Sequence, residues 1–224
     1  MIFETLRMQQ IDLTKPPQDN QIVGVVCVLQ DFQTGEIFMA RELMDKPQFD
    51  KRRYDYSPVA GGRESNGDIL EDLFKETLPR EMREETGLEP FEYVTDPNPI
   101  GWFQFAENPN KPWIVAYRAF INHKVRLERF PMPSDHETAF PIWVDPRNLD
   151  LNAIPLRGGV REILNAHLKR ERSVCRQISS ANHIGEEGIF DPFPPAIIVD
   201  NKGTIRELSW DRGRVVDFLN RGDK

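Results

Sequence analysis

The apolar and polar positions of this chain predict its elements before any other feature is weighed. Residues 21–29, QIVGVVCVL, form an unbroken apolar, β-branched run, which predicts a strand buried on both faces. Asp31-Phe32-Gln33-Thr34-Gly35 has hairpin-loop composition, and residues 36–41 (EIFMAR) predict the return strand. Residues 98–106 (NPIGWFQFA) and 113–122 (WIVAYRAFIN) predict an antiparallel hairpin across the polar loop 107–112. Trp102, Phe103 and Phe105 on its first arm serve core packing, or one of them stacks a nucleobase. Residues 157–172 carry Val160, Ile163, Leu164 and Leu168 at helical spacing and predict an amphipathic helix against the sheet, with His167 at the surface.

The segment 61–88 has two helix-start signals. Asp68-x-x-Glu71 ahead of Ile69, Leu70, Leu73 and Phe74 resembles a capping box. Thr77-Leu78-Pro79 is the second, because proline suits a first turn. They predict a short helix near 69–76 and another at about 78–86, ended by Gly87.

The remaining segments are polar. Residues 1–20 predict an early strand or irregular arm, then a loop. Residues 42–56 are too polar for core and suit a loop beside a site or a dimer contact; Lys51, Arg52 and Arg53 attract an anionic substrate or are merely solvated. Residues 123–136 are basic, then proline-rich, as in a lid or specificity loop. In the tail, AIIVDNKGTIREL (196–208) predicts a hairpin turning at 200–203, and Val215, Val216 and Leu219 a closing helix.

Composition narrows the class. The 224 residues suffice for one large domain, or one domain with an extension. A net charge of -7 argues against nucleic-acid binding driven by phosphate contacts. Cys27 and Cys175 lie in unrelated contexts, so neither a disulfide framework nor a zinc cluster is signalled, and Cys27 reads as a small core residue. No apolar run approaches the ~18 residues of a membrane span. The first residues lack a signal-peptide pattern, so a cytoplasmic location is expected.

The chemistry concentrates in Arg80-Glu81-Met82-Arg83-Glu84-Glu85-Thr86-Gly87-Leu88. On a helix, Glu81, Glu84 and Glu85 share one face. Ionised carboxylates side by side repel, and a hard divalent cation turns that repulsion into a binding site. With Gly61 and Gly62 ahead of it, the stretch resembles the Nudix box, G-x5-E-x7-R-E-U-x-E-E-x-G-U, where U is a bulky aliphatic residue. The second half matches throughout, with Met82 and Leu88 as U. The first half departs: counting from Gly62, the acidic position falls on Asp68, and eleven residues separate it from Arg80 where the pattern has seven. Four extra residues are about one helical turn. Asp68 also has a reading independent of metal, as a helix cap.

The resemblance implies an α+β fold: a Nudix-type α/β/α sandwich around a mixed, mostly antiparallel sheet. Residues 1–172 would be the hydrolase domain and 173–224 an extension, with a small β-hairpin and helix, packed on the domain or on a partner such as a second copy. It implies Mg²⁺ or Mn²⁺ as cofactor, with Gly61 (through its carbonyl), Glu81, Glu84 and Glu85 as metal ligands. Arg80 would orient a glutamate, and the general base would be Glu81, Glu85 or Glu137. Glu137 stands just before a strand, with Asp135 and His136 its competitors. Arg41 and Arg63 are candidate substrate contacts, although Arg41 also suits plain solvation. The activity implied is metal-dependent hydrolysis of a diphosphate bond in a nucleotide-derived substrate such as ADP-ribose or a nucleotide sugar. The alternatives are a Nudix-like nucleotide-binding or regulatory module with weak turnover, and an interaction protein whose acidic helix is only solvated.

Overall fold

The computed structural model describes residues 15–44, 46, 51, 55–105, 112–128, 138–147, 155–179, 196–199 and 205–208. Expectations for Arg52, Arg53, Glu137, the turn at 200–203 and the closing helix lie outside the described residues.

The apolar run at 21–29 forms β1 (Ile22–Asp31), the spine of the molecule. Its side chains alternate between two cores. Val25, Cys27 and Leu29 pack with Leu78 and Met82 of helix α1 (Leu78–Thr86). Val26 and Val28 pack with Val160, Ile163 and Leu164 of helix α3 (Val160–Leu168). One helix on each sheet face gives the expected α/β/α layering. β2 (Ile37–Glu42) returns antiparallel, and β10 (Thr138–Val144) joins β2 at the edge. On the other side β9 (Trp113–Ile121) runs parallel to β1, β8 (Gly101–Phe105) runs antiparallel to β9, and β11 (Val174–Ile178) runs parallel to β8. The sheet order is β10-β2-β1-β9-β8-β11. Three short strands pair off this path: β3 (Tyr56–Ser57) with β2, β4 (Val59–Gly62) with β1, and β7 (Tyr93–Thr95) with β9. The sheet is therefore mixed and mostly antiparallel. Residues 174–178, beyond the expected domain boundary at 172, belong to it. β12 (Ala196–Val199) and β13 (Ile205–Leu208) form the tail hairpin. No described helix is long and apolar enough to cross a membrane.

The segment ahead of α1 differs from expectation in an instructive way. Ile69 and Leu70 are strand, not helix: β5 (Ser65–Asn66) and β6 (Ile69–Leu70) make a small hairpin. Its turn uses Gly67 at φ +68, a conformation that glycine adopts without strain. Asp68 is exposed on that turn and caps nothing. The cap is Asp72, whose carboxylate accepts the amides of Phe74 (3.0 Å) and Lys75 (2.9 Å). One π-helical turn (Leu73–Thr77) then runs straight into α1, so one helical segment replaces two. The widened turn has a cause in Pro79, which lacks an N–H and whose ring would strike a carbonyl in a regular helix. Exactly seven residues separate Asp72 from Arg80, as in the Nudix pattern, so the four-residue excess lies between Gly62 and Asp72, as hairpin.

Two further expectations fail. The 42–56 segment contributes buried groups: Lys51, Asp55 and Tyr56 are inside, with Lys51 Nζ 3.2 Å from the buried Glu42 carboxylate. His167 is buried on α3 rather than at the surface, and burial, with the Arg118 charge, lowers its pKa to about 4. α2 (His123–Glu128) makes the start of the presumed lid helical.

Candidate active site

The site is assembled where β4 crosses β1 beneath α1. Val25 pairs with Gly61 and Gly24 with Gly62. A Cβ on Gly24 would stand 2.6 Å from the Gly61 carbonyl oxygen, so the bare Gly24 is what lets that carbonyl approach. A Cβ on Gly61 would stand 1.7 Å from Glu81 Cδ: the glutamate carboxyl fills the space a side chain would take. Gly61 and Gly62 lie in a strand and not at positive φ, so close approach rather than a special turn requires glycine at 61.

Arg80 ties this strand to the helix. Its Nη2 donates to Gly62 O at 2.9 Å and to Glu71 Oε2 at 3.3 Å. Its Nη1 donates to Glu81 Oε1 at 2.6 Å and to Glu84 Oε2 at 3.3 Å, and stands 3.8 Å from Glu64 Oε1. Burial would lower the Arg80 pKa, but Glu71 and Glu81 more than offset this and keep the guanidinium firmly charged. Burial pushes the Glu81 carboxyl above its usual range; Arg80 opposes this, the Glu84 charge adds to it, and Lys51 is near enough to oppose it as well. Glu85, buried on the same helix, accepts the Ala60 amide at 3.2 Å and so fixes α1 to β4. Glu84 is the half-exposed member.

The expected residues Gly61, Arg80, Glu81, Glu84 and Glu85 thus meet. Arg41 is buried at the end of β2 rather than solvated, with its guanidinium 5.5 Å from the Tyr56 ring centroid. Arg63 is engaged by the N-terminal arm, donating to Asp19 O at 2.8 Å and to Asp19 Oδ1 at 2.7 Å. Sequence reasoning missed Gly24 and Asp72, and it gave Lys51 and Glu71 other parts, in a basic loop and a capping box. Asp72 was accessible by counting back seven residues from Arg80 instead of forward from Gly62. The others depend on strand pairing and on long side chains meeting across the fold.

Among the described residues, no three acidic, histidine or cysteine side chains stand close enough together to hold a metal ion. Arg80 bridges Glu81 and Glu84 instead. The donor chemistry nevertheless fits a hard divalent cation. All the candidate ligands are oxygens, and four carboxylates (Glu64, Glu71, Glu81 and Glu84) share one guanidinium.

No family profile and no curated protein matches the chain. Among solved structures it is similar to a NUDIX hydrolase from Nitrosomonas europaea, at 15% identity over 71% of this chain and 93% of that one, with a TM-score of 0.49. It is also similar to the NUDIX domain of Shewanella oneidensis NrtR complexed with ADP ribose, at 13% identity over 75% and 99% of the two chains, TM-score 0.49. A third is an ADP-ribose pyrophosphatase from Streptococcus suis, at 14% identity over 69% and 96%, TM-score 0.43.

Proposed function

We propose that this protein is a Nudix-type pyrophosphohydrolase that uses Mg²⁺ or Mn²⁺ to hydrolyse a diphosphate bond in a nucleotide-derived substrate, ADP-ribose or a nucleotide sugar first among them. The observation that supports this most is the seating of the Glu81 carboxyl over Gly61, with Arg80 tying helix and glycine strand together. It unites both halves of the box in one site. Glu81, Glu84, Glu85 and the Gly61 carbonyl would hold the metal. Once bound, the ion would supply charge neutralisation at the diphosphate and a lowered pKa for a coordinated water.

The chain's own residues do the rest. Before a cation binds, Arg80 orients Glu81 through a charge-assisted bond. The raised pKa of Glu81 suits it to accept a proton from the attacking water, the role for which Glu85 and Glu137 are the other candidates. Water attacks one phosphorus, the bridging P–O bond breaks, and each fragment leaves with its own phosphate. Glu85 keeps the helix in register with β4 through the Ala60 amide. The hydrolase unit comprises residues 1–172 together with β11, and the tail hairpin is an extension.

A substrate screen with Mg²⁺ and Mn²⁺ tests the reading, over ADP-ribose, NADH, dinucleoside polyphosphates, nucleotide sugars and non-canonical nucleoside triphosphates. Turnover of a diphosphate-linked compound is expected, reduced at least ~100-fold in Glu84→Gln, which removes one charge from an exposed position. The Arg80 bridge between Glu81 and Glu84 favours a second reading, a nucleotide-binding module without turnover. Mn²⁺ binding without turnover of any substrate would select it. If the wild-type chain binds no Mn²⁺, both readings fail.

A further inference from the structure

Arg80 has two sets of acceptors, and they differ in kind. Glu81 Oε1 and Glu84 Oε2 are oxygens that a cation would need for itself. Gly62 O, Glu71 Oε2 and the more distant Glu64 Oε1 belong to the end of β4 and to the inserted hairpin. Glu71 has anchors of its own. Its Oε2 accepts the hydroxyl of the buried Thr77 at 2.8 Å and the Glu64 amide at 3.3 Å. The hairpin closes behind it through the Glu71 amide, which donates to Glu64 O at 3.0 Å. The hydrogen bonds from Thr77, Arg80 and the Glu64 amide, with the Arg80 charge, outweigh the effect of burial and hold the Glu71 carboxyl below its usual range.

A guanidinium and a divalent cation compete for the same carboxylate oxygens. Arg80 can yield Glu81 and Glu84 at low cost only if another anion is in place to receive it. We infer that Glu71 is a positioning residue: a second anionic seat, supplied by the inserted hairpin, that holds Arg80 while a cation occupies Glu81 and Glu84. Glu71 is not a position of the Nudix box, and its seat exists because the chain folds back between Gly62 and Asp72. With Glu71 neutral, Glu64 is a poor substitute, being exposed and 3.8 Å away. Arg80 would then stay on the metal's oxygens. The inference rests on the metal-site reading of Glu81 and Glu84.

The test is a Mn²⁺ titration of the full chain without substrate, with free Mn²⁺ read by its electron paramagnetic resonance signal. Glu71→Gln should weaken binding about tenfold, the scale of a lost charge-assisted hydrogen bond. Glu71→Asp, which keeps the charge, should recover most of that loss. The decisive arm is Arg80→Met, where nothing remains to be held: there Glu71→Gln should change the affinity less than about twofold. Equal weakening in both backgrounds would show a plain through-space charge effect and overturn the inference. So would unchanged affinity in Glu71→Gln. Should Glu71→Gln fail to fold, Thr77→Val removes an anchor of Glu71 while keeping every charge. It should weaken binding by a few-fold, and no change would be equally fatal. A wild-type chain that binds no Mn²⁺ removes the metal reading itself. A wild-type chain that binds while the variants match it removes only the role of Glu71.

Discussion

β1 carries an arginine-centred charge cluster near each end, and the two are balanced differently. Near Gly24, Arg80 serves four carboxylates, Glu64, Glu71, Glu81 and Glu84. At the far end, the fully buried Asp31 is met by His123 Nδ1 at 2.7 Å and Arg126 Nη1 at 3.0 Å, and by the amides of Gln33 and Thr34. Arg126 also bonds Glu36 and lies over the Trp143 ring, 4.3 Å from its centroid. In this second cluster two basic groups serve two acids, and the first turn after the strand is fixed by the same carboxylate. It needs no further cation and reads as an anchor joining β1 to α2. The Arg80 cluster sets four carboxylates around one guanidinium beside the Gly61–Gly62 end of β4. Acidic density alone therefore does not mark a functional site; the ratio of acids to fixed cations does.

The largest effect expected is at the glycine. Gly61→Ala places a methyl 1.7 Å from Glu81 Cδ, so the carboxyl or the strand must move. A displacement of about 1 Å at a catalytic group costs roughly 100-fold in rate. Overpacking of this kind costs about 1–3 kcal/mol in stability. Steady-state kinetics on the substrate found by screening, with thermal unfolding beside them, would measure both. Unchanged kinetics would detach Glu81 from the chemistry.

The matching change at the other end should leave kinetics alone and lower stability. Burial alone would raise the Asp31 pKa, but the hydrogen bonds from His123, Thr34, Gln33 and Arg126 prevail and lower it to about 2. Because the folded pKa lies below the unfolded value of about 3.8, the stabilisation is present above pH 4 and is lost as pH falls from there towards 2. Over that window it amounts to about 2 kcal/mol. Asp31→Asn should lose about that much at pH 7, keep kcat, and flatten the acid limb of a urea-unfolding series. A fall in kcat with stability intact would contradict the division of labour between the two ends.

The strands of the sheet were legible because β-branched apolar runs have few other uses; residues 21–29 could be little else than a central strand. The REMREE face was legible because three carboxylates on one helical face are costly without a ligand. What was not legible depended on the third dimension. Gly24 looks like an ordinary strand glycine until β4 is laid beside it and its missing side chain proves to make room for the Gly61 carbonyl. Lys51 sits in a stretch too polar for core, and only its pairing with buried Glu42 takes it inside. His167 lies at helical spacing from Val160, Ile163 and Leu164, on the face that α3 turns to the sheet; its polar side chain, not the periodicity, is what reads as surface. Ile69 and Leu70 read as helix from local pattern, yet both are exposed strand residues in a hairpin whose turn needs Gly67.

That hairpin sets the smallest prediction. Two aspartates compete for the first acidic position of the box, and the fold separates them. Asp72 accepts two amides at the helix start, so Asp72→Ala should cost about 1 kcal/mol of stability. Asp68 stands exposed on the turn after Gly67, and Asp68→Ala should stay within ~0.5 kcal/mol of wild type with turnover unaffected. Chemical denaturation of the two variants, with an activity assay on each, separates the cases. If Asp68→Ala is the damaging change, Asp68 acts from the hairpin turn and Asp72 is only a helix cap. If Asp72→Ala is, the insertion is a hairpin grafted onto an otherwise regular box, and the Arg80 cluster owes its surplus carboxylates Glu64 and Glu71 to that graft.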